Sequence, residues 1–125
     1  MVHLVDTNII IRFLIGDHEE LLHKATDIFR AVESGEIEVI ILDAVLMEAF
    51  FVLTKFYQLP VSEVVDDLKA LLTLKGVVNT DKFVLFETLS LIDSRKIDFV
   101  DALILAKSKL QGYGTLSFDK DVNKT

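Results

Sequence analysis

The residues of this chain that could do chemistry are acids: Asp6, Asp43, Glu48, Asp98, Asp101 and Asp119. Asp6 ends the apolar run 2–5, Asp43 ends the run 37–42, and Asp119 follows the glycine-flanked run 112–117. Each is therefore expected just past a strand's C-terminal end, where open α/β sheets bind their ligands. Glu48, Asp98 and Asp101 are expected in or near the first turns of helices. In a parallel sheet several of these acids share one edge. Four converging carboxylates repel one another strongly, and the ordinary resolution is a hard divalent cation with oxygen ligands, Mg2+ or Mn2+. A carboxylate-only metal site points to phosphoryl chemistry, in which the ion lowers the pKa of a water and neutralises charge building on the phosphate.

Each acid also has a bland use. Asp6 or Thr7 can simply cap the helix that follows. Glu48 is the only ionisable residue before Lys55 in an otherwise apolar stretch. Burying it alone costs several kcal/mol, so a metal, a proton or a structural ion pair with a distant Lys is expected to accompany it. Asp98 and Asp101, three apart on one helix face, both suit the dipole at a helix start. The histidines His3, His18 and His23 lack a ligand spacing and read as solvated surface. Thr7 and Ser117 have no base partner in the sequence, and no glycine-rich phosphate loop is present.

The elements that must position these acids alternate. A first strand turns directly into the helix begun by Thr7-Asn8-Ile9, and a second helix is expected after Gly16 with Asp17 as N-cap and Glu20 closing a capping box. Gly35 ends it. Residues 37–42 read as a second buried strand, about 44–57 as a helix, and the stretch from Leu59-Pro60 to Gly76 as another. Val77-Val78-Asn79 fits an edge strand, and Thr80-Asp81 caps a fifth helix carrying Phe83, Phe86, Leu89 and Ile92 as core. A sixth helix opens at Asp98, and residues 112–117 read as a glycine-flanked strand. The alternation predicts an α/β sandwich around a mainly parallel sheet.

Composition bounds the rest. With 125 residues, 51% of them apolar, one compact domain over 1–125 is expected. There is no cysteine, so a disulfide framework and a thiolate nucleophile are excluded and the cytoplasm is the default. The apolar runs are too short to cross a bilayer, and no membrane association is expected. Twenty acids against thirteen Lys and Arg give a net charge of −7, which weakens charge-driven nucleic-acid binding and invites a basic protein partner.

Four segments carry a resemblance: LVDTNIIIRFLIGD at the start, LMEAFFVL around Glu48, IDFVDALILA around Asp101 and LSFDKD near the end. They resemble the acidic motifs of PIN-domain ribonucleases, closest to VapC-like toxins of toxin-antitoxin pairs. The likeness spans essentially the whole chain, and the spaced set is specific although each motif alone is weak. It implies a three-layer sandwich with a five-stranded parallel sheet of order 3-2-1-4-5 flanked by helices. It also implies Mg2+- or Mn2+-dependent cleavage of single-stranded RNA by a homodimer that a basic antitoxin protein silences. By position, Asp6, Glu48 and Asp101 are the core ligands and Asp119 the fourth, with Asp98 an additional acid found in some relatives. Thr7 and Asn8 match the polar pair after the first Asp, and Ser117 stands where many relatives have Thr.

Rival readings fit less well. A phosphatase of the haloacid dehalogenase type wants a second Asp two residues after the first, where this chain has Asn8. A receiver-like signalling domain gives Glu48 no role and needs a Lys after its last strand. A PIN-like domain that binds RNA or a protein without cutting is separated from the enzyme only by an activity assay.

Overall fold

In the computed structural model, which describes residues 1–123, strand β1 (Val2–Leu4) runs parallel to β2 (Glu38–Ile40) with His3 opposite Val39. On the other side of β2, Val77 forms a parallel bridge to Val39. The Val39 N–H donates to the Gly76 carbonyl at 2.7 Å, and the Val78 N–H donates to the Val39 carbonyl at 2.9 Å. The buried Asn79 continues this pairing with its side chain. Its Oδ1 accepts from the Ile41 N–H at 2.9 Å and its Nδ2 donates to the Ile41 carbonyl at 2.7 Å, so an amide does what one more strand residue would do.

The chain forms two units, Met1–Thr80 and Asp81–Thr125. The first holds the sheet and four helices: α1 (Thr7–Ile15), α2 (Glu19–Ser34), α3 (Asp43–Phe51) and α4 (Val61–Leu72). A π-helical turn, Val52–Phe56, prolongs α3. Helix α1 packs on both α2 and α3. Ile10, Phe29, Ile41, Leu46, Leu53 and Leu68 are among the buried side chains of this unit. Gly35 closes α2 in the left-handed region at φ 82°, as expected of a C-terminal glycine. At Gly76 the demand is for space: a Cβ there would run into the carbonyl oxygens of Ile37 and Val32, because the Gly76 N–H donates to Val32 at 2.8 Å. That close approach seats the Val77 segment against β2.

The second unit is a helix pair, α5 (Lys82–Arg95) packed against α6 (Phe99–Gln111), followed by the short α7 (Lys120–Asn123). Lys96 ends α5 with φ 56°, and its N–H donates to the Ile92 carbonyl at 3.0 Å.

The fold is thus mixed α/β, predominantly helical, with a small parallel sheet. Several expectations are corrected. Strand β1 is exposed, Leu4 at 65%, where a buried strand was predicted. Helix α2 is capped by His18, whose Nδ1 accepts from the Leu21 N–H at 3.3 Å, one residue later than the Asp17 capping box implied. Phe83 is 82% exposed, since α5 buries the face carrying Val84, Leu85, Thr88, Leu89 and Ile92. Residues 112–117 contain no strand. Gly112 is spent in the left-handed cap of α6, the Ser108 hydroxyl donates to the Tyr113 carbonyl at 2.6 Å, and Asn123 donates to the Ser117 carbonyl at 2.6 Å. Local side chains use the carbonyls that a ladder would need.

Candidate active site

Asp6 occupies the N-cap position of α1, two residues past β1, yet its side chain makes no capping hydrogen bond. Its exposed carboxylate is not consumed by the helix, so the capping use does not account for it. Asp43 is the first residue of α3, just beyond β2. The parallel pairing, prolonged by the Val5 N–H donating to the Ile40 carbonyl at 3.3 Å, puts Asp6 and Asp43 at one edge of the sheet. Thr7 is buried at the start of α1, and Asn8 is exposed.

Glu48 corrects the reading of its stretch. It is exposed, so no burial cost demands a compensating partner, and among the described residues no Lys or Arg pairs with it. Helix α3 buries Leu46, Ala49 and Phe50 and leaves Phe51 partly open, so an apolar stretch was not a fully buried one. His3, His18 and His23 are exposed, as their spacing suggested.

In the second unit the acids act on one another. Asp101 lies in the first turn of α6, and Asp98 is its N-cap residue but forms no side-chain capping bond. Burial pushes the Asp101 carboxyl above the ordinary carboxylate range. The Asp119 charge and a hydrogen bond between the Asp101 and Asp119 side chains add to this, followed by the charges of Asp98 and Asp121. The loop holding Asp119 is built by Ser117, whose Oγ accepts from the Asp119 N–H at 2.8 Å. The Asp119 Oδ1 in turn accepts from the Asp121 N–H at 2.8 Å, starting α7. Ser117 thus supports Asp119 through the backbone.

Two residues that brace this loop were not singled out from the sequence. Asn123 ties the Ser117 carbonyl, and the Arg95 Nη2 donates to the Asp121 carbonyl at 3.3 Å. No spacing rule marks either, because both reach backbone groups rather than side chains.

In donor chemistry the Asp101–Asp119 pair fits a hard divalent cation: two carboxyls close enough to share a proton can both ionise once a cation sits against them. Among the described residues no three His, Asp or Glu stand grouped as a ready metal site. Asp98, Asp101 and Asp119 lie in the second unit, and Asp6 and Glu48 lie in the first.

The sequence matches the PIN domain family over residues 3–125, and the chain belongs to that family. PIN domains are a nuclease-type family whose members are commonly hydrolases, and membership suggests nucleic-acid binding. None of the curated proteins and none of the solved structures compared with the chain matches it. Among the described residues no helix is long and apolar enough to cross a membrane.

Proposed function

We propose that this chain is a metal-dependent endoribonuclease cleaving single-stranded RNA, a VapC-like toxin of a toxin-antitoxin pair, working as one PIN domain over residues 1–125. The observation that carries the reading is the Asp101–Asp119 carboxyl pair within a PIN-family chain. Asp6, Glu48, Asp101 and Asp119 would hold Mg2+ or Mn2+, with Asp98 as an additional acid. The family resemblance rather than proximity selects Asp6 and Glu48. When bound, the cation supplies Lewis-acid charge at the scissile phosphate and favours ionised water as nucleophile.

The chain's own residues do the remaining work. Ser117 fixes the Asp119 backbone, Asp119 orders the start of α7, and Asp98 adds to the local negative field that a cation would relieve. Thr7 and Asn8 follow Asp6 and, by the family resemblance, would orient it or a water beside it. In this reading the protein is a cytoplasmic homodimer, and a basic antitoxin protein silences it by offering a cation to the acids.

Incubation of the purified protein with single-stranded RNA and Mg2+ or Mn2+, with a chelator control, tests the activity. Chelator-sensitive cleavage that is lost in Asp101→Asn supports it, and cleavage that survives both chelator and substitution contradicts it.

A further inference from the structure

The net charge of −7 belongs to one part of the chain. Residues 1–80 carry thirteen acids and six Lys or Arg, whereas residues 81–125 carry seven of each. The second unit, which holds the acid pair, is therefore neutral, and part of its positive charge faces a surface groove. That groove has a volume of about 540 Å3. Arg95, Ser108, Lys109 and Thr115 contribute its polar wall, and Leu91 and Leu105 contribute apolar surface.

The two cations are only loosely engaged. Lys109 meets Glu87 at 3.5 Å, and both side chains reach solvent, so the pair is worth little and the ammonium can turn to another anion. Arg95 is exposed and makes one long hydrogen bond, to the Asp121 carbonyl at 3.3 Å, with a fork of five N–H donors. That contact has a second meaning. It fastens one end of the groove to the loop that carries Asp119, two residues before Asp121. Lys109 lies eight residues beyond Asp101 on α6, about 12 Å along the helix axis at 1.5 Å per residue. The groove thus leads away from the acid pair with a planar cation near one end and a point charge farther along.

We propose that this groove holds the sugar-phosphate backbone of single-stranded RNA, with Arg95 and Lys109 as phosphate contacts that position the strand beside Asp101 and Asp119. The proposal rests on the nuclease reading for its choice of ligand. Guanidinium and ammonium groups recognise phosphodiester oxygens, the Thr115 hydroxyl can donate to phosphate, the Ser108 hydroxyl, whose proton goes to the Tyr113 carbonyl, can accept from a ribose hydroxyl, and the two leucines offer apolar surface to a sugar or base. A substrate strand approaching an acid cluster needs such cations to offset repulsion.

The test is binding of a fluorescently labelled single-stranded RNA oligonucleotide by anisotropy, in chelator so that no cleavage occurs, across a salt series. Arg95→Gln and Lys109→Gln are each expected to weaken binding several-fold and to lower the slope of log affinity against log salt by about 0.7, the value for one phosphate contact on a single strand. Lys109→Arg should bind like the parent, and Glu87→Gln should bind equally or more tightly because Lys109 loses its competing carboxylate. An Arg95→Gln/Lys109→Gln double variant that matches the parent in affinity and slope would overturn the groove and leave the nuclease reading standing. Parent protein that binds no RNA would overturn it as well. RNA binding that depends on both cations, in a protein that never cleaves RNA with Mg2+ or Mn2+, would uphold the groove and contradict the nuclease reading. Displacement of the RNA by inorganic phosphate at matched ionic strength would assign the groove to free phosphate and overturn the proposal.

Discussion

The side chains of Asp101 and Asp119, eighteen residues apart in sequence, are joined by a hydrogen bond. Such a bond needs a proton on one of them, and burial with the neighbouring acids raises the Asp101 carboxyl so that it keeps that proton more readily than a solvated Asp. A raised acid binds more protons in the folded state, so its contribution favours folding at low pH. That contribution is lost as pH rises from the ordinary 3.8 through the higher folded value. Asp101→Asn in chelator should therefore raise the melting temperature at pH 7 relative to the parent and flatten the dependence on pH over that window. Thermal melts from pH 4 to pH 7 check this, and a variant with lower stability at pH 7 would contradict it.

Asp98 makes a different prediction. Its N-cap position suggested that backbone N–H groups occupy its oxygens, but it forms no side-chain cap. Asp98→Ala should then cost less than the roughly 1 kcal/mol typical of losing a real cap, read by chemical denaturation. In cleavage, Asp98→Asn should lose much less than Asp101→Asn, because Asp98 acts on the pair through charge while Asp101 bonds Asp119 directly. Equal loss in both would place Asp98 among the ligands.

Asn79→Ala tests the sheet. The substitution leaves the Ile41 N–H and carbonyl without their side-chain partners, at about 1–3 kcal/mol for each buried polar group that finds no replacement. Denaturant unfolding should show a clearly lower midpoint, with a loss larger than that of an exposed substitution such as Asn8→Ala.

Gly76→Ala should destabilise the first unit by about 1–3 kcal/mol, the usual cost of overpacking, because the added methyl meets two carbonyl oxygens rather than a flexible side chain. Thermal unfolding measures it. A neutral result would mean that the Val77 segment is not held this closely to β2.

Asp6 and Asp43 were legible as strand-end acids because each follows an apolar run, whereas Asp119 follows a segment that forms no strand. The sequence placed Asp6 and Asp43 beyond two strands, and β1 and β2 do pair in parallel ahead of them. The helix end at Gly35 was equally readable, since the left-handed cap favours glycine, whereas Gly112, read as the flank of a strand, caps α6 instead. What the sequence misled on was burial. Apolar content around Glu48, along β1 and at Phe83 implied interior positions, but hydropathy alone does not say which face an element turns outward. The expected strand at 112–117 also failed for a local reason, the use of its carbonyls by Ser108 and Asn123. The Asp101–Asp119 bond could not be read from spacing, because it depends on how the Ser117 loop turns.

The Asp101–Asp119 carboxyl pair is proposed to serve a divalent cation in RNA cleavage. The most direct measurement is single-turnover cleavage of one labelled single-stranded RNA by parent, Asp101→Asn and Asp119→Asn proteins, with Mg2+ or Mn2+ titrated in and with chelator. Metal-dependent cleavage by the parent is expected, with losses of orders of magnitude in each variant and folding intact by circular dichroism. Undiminished cleavage in both variants, or no metal-dependent cleavage by a folded parent, would contradict it.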